Sequence, residues 1–408
     1  MAQKKKYTEL TPLWIGLFVD MLGFYIIIPF FAAFIFIFNT TPLVIGLVLA
    51  TNAAFTLISA PIWGRLSDKF GRKPILIISQ MGTFSAFMIL AFSNSLEILF
   101  IARMVDGIFG GNFPMVKAII SDRVPPKDRG LQMTNVGVVH VLAGLAGPGL
   151  GGLLSLIQIL GAGYPVATAG FAAAGLSFTS ILITIFFVGE TWPKEKRLHA
   201  EEKIKVKVKI RKNKDATYLL TLYTFHTFSF IMYMSSLVLY IGYILGLGPF
   251  EISILLTISG IFRAIVRFTL FKQTIKLLGE KNSTIFGLFI LVITFFLAGF
   301  IQNIVMFLVL MLLASYGVSC SRGLLISKIT QSVTPKEQGK INGITTTLDS
   351  VAMIGGPIIG AFMLTVYAPY WWGIVMALIA LVAFLMVFKK IVPLRLKEQP
   401  LEKGVTDV

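Results

Sequence analysis

Residues 13–38 read Leu13-Trp14-Ile15-Gly16-Leu17-Phe18-Val19-Asp20-Met21-Leu22-Gly23-Phe24-Tyr25-Ile26-Ile27-Ile28-Pro29-Phe30-Phe31-Ala32-Ala33-Phe34-Ile35-Phe36-Ile37-Phe38, and Asp20 is the one charged side chain among them. A helix rises about 1.5 Å per residue, so a run of this length crosses the roughly 30 Å hydrocarbon core of a bilayer. It is longer than the hydrophobic region of a signal peptide, comes after Lys4, Lys5 and Lys6, and offers no small-residue cleavage site, so it reads as a first membrane span. Eleven further apolar runs follow at 43–63, 75–93, 97–120, 132–155, 166–188, 217–241, 250–271, 283–301, 304–327, 341–365 and 370–389. None alternates in polarity with the roughly ten-residue period of a membrane barrel, so the expected fold is an all-α integral membrane protein of twelve transmembrane helices. The 408 residues are 56% hydrophobic and 13% charged, which no single soluble core absorbs, and which excludes disorder, collagen and a disulfide scaffold. Cys320 is the single cysteine, so no intrachain disulfide forms.

The net charge of +17 would point to nucleic acid in a soluble chain, but its placement decides otherwise. With the N-terminus inside, 31 of the 36 Lys and Arg residues fall in inner segments, at 4–6, 65–73, 123–129, 194–214, 272–281, 328–340 and 389–403, and the outer loops hold none. This is the positive-inside pattern, and it predicts a multi-pass protein of the cell membrane with both termini in the cytoplasm and no nucleic-acid partner. Lys117 and Arg267, within the spans, are placed to snorkel toward the inner surface.

The longest hydrophilic stretch, Glu190 to Ala216, separates six spans from six. The expected organisation is a six-helix bundle over 1–190, a basic cytoplasmic linker over 191–216, and a second bundle with a cytoplasmic tail over 217–408. Within the linker, Lys203-Ile204-Lys205-Val206-Lys207-Val208-Lys209 reads either as an amphipathic segment on anionic lipid or as a solvated, orientation-setting stretch. The two halves repeat one another: Val124-Pro125-Pro126-Lys127-Asp128-Arg129-Gly130 matches Val333-Thr334-Pro335-Lys336-Glu337-Gln338-Gly339, and a Gly-Pro pair follows each, Gly147-Pro148 and Gly356-Pro357, all at an offset of 209. Duplicated six-helix units are a layout typical of secondary transporters.

Between the second and third spans stands Gly64-Arg65-Leu66-Ser67-Asp68-Lys69-Phe70-Gly71-Arg72-Lys73. Its glycines allow a tight turn between antiparallel helices, and Asp68 can meet a helix N-terminus or a nearby arginine. Position for position this loop resembles the signature loop of the major facilitator superfamily, where it acts as a latch on the inner side; the resemblance implies a gating role for Gly64, Asp68, Gly71, Arg72 and Lys73. The second-half stretch, Lys276 to Lys281, has Lys276 in the place of Asp68 and Glu280 in the place of Arg72, so gating is expected of the first copy alone. The resemblance extends over nearly the whole chain. Arg103 with Gly107 fits the Arg-x-x-x-Gly element of the fourth helix, implicated in proton transfer in proton-coupled members, with Asp106 where a glutamine is common. Gly144, Gly147, Pro148, Gly151 and Gly152 resemble the fifth-helix glycine-proline element associated with antiporters; plain helix packing is the other reading. Asp20, Gly23 and Pro29 resemble the first helix of the tetracycline and multidrug proton antiporter branch.

A carboxylate near mid-membrane costs about 2.5–3.5 kcal/mol on insertion scales, so Asp20 is the first candidate for a protonation site, with a static pair to Arg103 as the alternative. Arg103 and Asp106 share a helix face and are placed to pair. The charged and histidine side chains of the span interiors fall on the first, fourth, fifth, seventh, eighth, tenth and eleventh spans, and the third, sixth, ninth and twelfth carry none, so those four should face lipid. His140 and Asp349 correspond by the 209 offset. Both are candidates for proton coupling, His140 otherwise being a neutral ring satisfied by a hydroxyl. His226, Arg263 and Arg322 are candidates for the substrate cavity, and two arginines there favour anionic or zwitterionic substrates if both face inward.

No general base stands at a spacing that pairs with Cys320 or Ser321, the histidines and the cysteine lack metal-ligand spacing, and no Gly-x-x-x-x-Gly-Lys-Ser/Thr loop is present. Neither an enzyme nor a metal or other cofactor is expected, and energy must come from gradients. The expected function is proton-coupled antiport and efflux of a small amphipathic compound by a monomer in the bilayer, by rocking of one half against the other; a symporter or uniporter for a sugar, organic anion or other metabolite is the alternative.

Overall fold

A computed structural model of the chain describes residues 7–161, 164, 166–193, 195, 213–334 and 337–389. The Lys203–Lys209 segment and the basic residues beyond Lys389 lie outside them. Among the described residues fourteen α-helices follow in order: α1 (Thr11–Ile27), α2 (Phe30–Ile37), α3 (Pro42–Phe70), α4 (Arg72–Ala91), α5 (Leu96–Ile108), α6 (Asn112–Arg123), α7 (Pro126–Ser155), α8 (Ala167–Phe187), α9 (Lys214–Tyr243), α10 (Pro249–Ile265), α11 (Phe271–Ala298), α12 (Ile304–Gln331), α13 (Gln338–Val366) and α14 (Pro369–Lys389). No strand occurs among the described residues. Ten helical stretches are long and apolar enough to cross a membrane alone, α1 and α2 counting together. The remaining two crossings are composite: α5 with α6, and α10 with a π-helical turn (Val266–Leu270) and the start of α11.

The breaks have local causes. Pro29 separates α1 from α2. Gly110 and Gly111 interrupt the fourth span, where the ring of Phe109 fills the space a side chain at Gly82 would need. Gly71 (φ 106°, ψ 157°) turns α3 into α4, and Gly279 (φ 73°, ψ 167°) makes the matching turn inside α11, so both bundles reverse direction on a glycine in a conformation that other residues rarely adopt. Pro148 and Pro357 both lie within continuous helices, as neighbouring helices in a membrane permit. Several helices outrun their apolar stretches: α3 runs to Phe70 and α12 to Gln331, because charged residues prolong a helix into water once its apolar body is anchored.

In the first bundle α1 packs on α7 and α8, and α4 on α5 and α8; in the second α9 packs on α13 and α14, and α11 on α12 and α14. An aromatic stack of Tyr240 with Trp372 (4.4 Å between rings) and Phe307 (5.1 Å) stiffens the second bundle. The halves meet where α3 crosses α13, α7 crosses α10, and α2 meets α9. The third, sixth, ninth and twelfth spans make their main contacts within their own half, which leaves them at the periphery, where the sequence places no charge.

The crossings sit on the side away from the basic loops. A Cβ at Gly46 would stand 2.6 Å from Ala361 Cβ and from the Pro357 carbonyl, and one at Gly152 would stand 2.5 Å from Ser253 Cβ. The Leu43 amide donates across the halves to Thr365 Oγ1 (3.0 Å). Toward the basic side the same helices part: a Cβ at Gly64, Gly137, Gly339 or Gly343 would meet nothing within 4 Å. The halves are in tight contact on the non-basic side, and the glycines of these helices nearer the basic loops meet no such neighbour.

Candidate functional site

Asp20 projects into the first bundle and is 4% exposed. Asn112 Nδ2 donates to its Oδ2 (2.8 Å) and also reaches Thr83 Oγ1 (3.3 Å), while Asp20 Oδ1 and Asn112 Oδ1 have no partner. Around them a small pocket is bounded by Gly16, Leu76, Gln80, Val116 and Thr184, from α1, α4, α6 and α8. Gln80 is tied by its amide to Ser180 Oγ (2.8 Å), its Oε1 again unpartnered. The static Asp20–Arg103 pair is not formed. Arg103, 1% exposed, pairs instead with Asp106 one turn along its own helix (3.2 Å), and Asn52 Nδ2 donates to the same carboxylate oxygen (2.9 Å). The break at Gly110–Gly111 starts a new helix at Asn112, and the amide of this new helix, not the guanidinium of the preceding one, is what reaches Asp20.

The fifth-span element, in α7, serves two crossings. Side chains at Gly144, Gly147 and Gly151 would run into Tyr25 and the Ile26 carbonyl on α1, whereas Gly149 and Gly152 face Thr257 and Ser253 on α10. With Gly144 so close, Tyr25 Oη reaches His140 Nε2 at 2.6 Å, so the hydroxyl partner expected of a neutral histidine is present. His140 and Tyr25 are both within electrostatic range of Arg263 from the other half.

In the second bundle Asp349 accepts from Arg322 Nη2 (3.1 Å), Tyr223 Oη (2.9 Å) and Thr227 Oγ1 (2.8 Å), and its side chain is 25% exposed. His140 and Asp349 thus correspond across the two halves, one hydrogen-bonded to a tyrosine hydroxyl and one ion-paired. His226 does not line that wall: it is fully buried against Ser321 Oγ (3.4 Å), correcting its expected place in the cavity. The reason is rotation about α9, which turns His226 toward α12 and leaves Thr227 toward Asp349.

At the basic side Arg72 is enclosed by Ser67 Oγ (2.6 Å), Asp68 (2.8 Å) and Asp122 (2.9 Å), and Glu190 accepts from the backbone amides of Arg72 and Lys73. Lys73 Nζ donates to the Ile185 carbonyl (2.7 Å). All these partners belong to the first half. The second-half copy is less degenerate than its residues suggest, since Glu280, in the place of Arg72, pairs with Lys328 at 3.8 Å with the charges reversed.

Sequence reading passed over Asn112, Asn52, Gln80, Tyr25 and Tyr223. A usable signal existed for the amides, because a carboxamide inside an apolar run costs free energy unless it is hydrogen-bonded. For the tyrosines there was none, as they are equally at home in packing. Among the described residues no cluster of His, Cys, Asp and Glu is arranged to hold a metal, and Cys320 is free and buried.

Comparison with known proteins adds four findings. The Major Facilitator Superfamily model matches residues 13–268 and again 219–407, so that the two overlapping matches span nearly the whole chain. The chain is 28% identical to the class H tetracycline resistance protein of Pasteurella multocida over 335 residues, 81% of each chain. It is 24% identical to multidrug resistance protein 2 of Bacillus subtilis (strain 168) over 366 residues, 87% of this chain and 89% of that one. Among solved structures, a D-xylose-proton symporter superposes with a TM-score of 0.73 at 16% identity, over 93% of this chain and 97% of the other, a likeness of fold alone.

Proposed function

The chain belongs to the major facilitator superfamily, and on that premise we propose that it is a proton-coupled antiporter that exports a small amphipathic compound by alternating access. The observation that carries the coupling is Asp20: a buried carboxylate held by the neutral Asn112 amide, with one oxygen unpartnered and no cation beside it. It has no fixed counter-charge, so water access decides whether it carries a proton, and access changes as the bundles rock. Arg103 and Asp106 form a second buried pair in the same half, and the Tyr25–His140 pair and Asp349 are candidate further steps of the proton's route. The two relatives, named for tetracycline and multidrug resistance, support efflux of amphipathic compounds.

In this reading the basic side faces the cytoplasm of a cell-membrane protein, so the structure is the inward-open state, and the latch around Arg72 holds its contacts within one half because its partner half has swung away. The unit is a monomer and the Gly64–Lys73 loop gates it. Proteoliposomes enclosing a pH dye test the proposal. An imposed proton gradient and a panel of cationic, zwitterionic and anionic compounds should reveal a class that drives proton flux, and Asp20→Asn should abolish that flux. Transport of compounds without proton movement, equal in wild type and variant, would replace the antiporter with a facilitator.

A further inference from the structure

Arginines stand at three places in the bundle interiors, and two are already neutralised: Arg103 by Asp106 (3.2 Å) and Arg322 by Asp349 (3.1 Å). Arg263 is different. Among the described residues it has no carboxylate within ion-pair distance; its closest polar contact is the thioether of Met234 (3.7 Å), and its buried Nε has no partner. A guanidinium left without an anion in a low-dielectric site is costly, and an anion arriving there recovers that cost.

Its position suits a visiting ligand. Gly260, one turn earlier on α10, packs in van der Waals contact with Leu145 and Gly144 of α7 (3.4 and 3.7 Å from its Cβ position), so Arg263, on the same helix face, lies just basic-ward of that crossing. Tyr25 and His140 from the first half and Tyr233 from its own lie within electrostatic range of it. The π-helical turn Val266–Leu270 follows directly, the kind of local irregularity that recurs at binding sites. Lys117, on the first-half side, is within electrostatic range of Asp349, so the facing walls carry more positive than negative charge. Apolar surface is at hand, with Phe230 lying 5.6 Å from the Arg322 guanidinium.

We infer that the transported compound is an anionic or zwitterionic amphiphile whose acid group docks on Arg263, opposite Tyr25 and His140, while its apolar body lies against the aromatic wall. This deepens the transporter reading and rests on it, but it concerns the substrate class and not the coupling ion.

The test is a matched probe series on one skeleton, bound to the full-length protein in nanodiscs and followed by quenching of tryptophan fluorescence: 1-naphthylacetate, 3-(1-naphthyl)alanine, 1-naphthylacetamide and 1-naphthylmethylamine. The acetate and the amino acid should bind roughly tenfold to hundredfold more tightly than the amide and the amine, the usual range for a hydrogen-bonded ion pair. Arg263→Gln should erase the difference between the acid-bearing probes and the amide, and Arg263→Lys should retain part of it. Equal affinity for all four probes in the wild type, tighter binding of the amine, binding of none, or a preference that survives Arg263→Gln would each overturn the inference. The wild-type series requires no variant, so misfolding of Arg263→Gln does not spoil it. Binding is read without a gradient, so failure here leaves the proton-coupling claim standing, and failure of proton flux leaves this preference standing.

Discussion

A leucine at Gly46 should force the non-basic side open. The Cβ of any side chain there would lie 2.6 Å from Ala361 Cβ and the Pro357 carbonyl, where ordinary contact is 3.4–4 Å, so α3 and α13 must separate by about 1 Å before the rest of the leucine is accommodated. One neighbour is backbone on a proline-containing helix and cannot rotate aside. Overpacking of this kind costs about 1–3 kcal/mol, and because the contact exists only when the non-basic side is closed, the whole cost falls on that state. The population ratio of the two states should therefore move roughly 5- to 150-fold toward the conformer open on the non-basic side. Electron–electron double resonance reads it, in a background where the buried Cys320 is replaced by serine. Labels at Asn94 and Gln302, exposed on the non-basic side of the two halves, should move apart, and labels at Lys69 and Gln331 on the basic side should approach. Gly343→Leu is the control: its Cβ enters open space, so the non-basic distance should not lengthen. Unchanged distributions in Gly46→Leu, with the protein intact, would refute the claim that this crossing sets the closed side.

Two further perturbations separate ion pairs by their burial. Arg322→Gln leaves Asp349 a quarter exposed with two neutral donors, Tyr223 and Thr227, so thermal stability in detergent should fall by about 2 kcal/mol, below the 3–5 typical of a fully buried pair, and Arg322→Gln with Asp349→Asn should recover most of it. A double variant no more stable than the single one would mean that Asp349 bears no cost when unpaired. Arg72→Gln strands Asp122 at a site only about a tenth exposed and should cost about 2–3 kcal/mol, whereas Glu280→Gln, in a pair whose carboxylate is 58% exposed, should cost less than about 1. Equal shifts in the two unfolding midpoints would contradict the asymmetry of the two turns.

The twelve crossings, the two halves and the peripheral third helix of each set were legible because they depend on hydropathy and on where charge is absent, and both survive in a one-dimensional string. The glycine turn at Gly71 was legible from its own loop, whereas the matching turn at Gly279 was not read from the sequence. Rotation about helix axes was not. Asp20 turns to Asn112 rather than Arg103 because the fourth span breaks at Gly110–Gly111 and restarts, and no apolar pattern records that break. His226 and Thr227 are adjacent in sequence but face α12 and Asp349, a difference of about 100° that decides which of them meets the cavity. The pairing of Glu280 with Lys328 was hidden because its charges are reversed relative to the first copy, and a motif comparison sees substitution where an ion pair persists.

The coupling claim rests on Asp20, and one comparison addresses it most directly: gradient-driven transport against gradient-free exchange, in the same proteoliposomes, for wild type and Asp20→Asn. If Asp20 carries the coupling proton, the variant should lose gradient-driven accumulation while still exchanging labelled for unlabelled compound across the membrane, because rocking persists without the proton. If the variant accumulates compound against the gradient as the wild type does, Asp20 is a structural carboxylate and the coupling lies elsewhere.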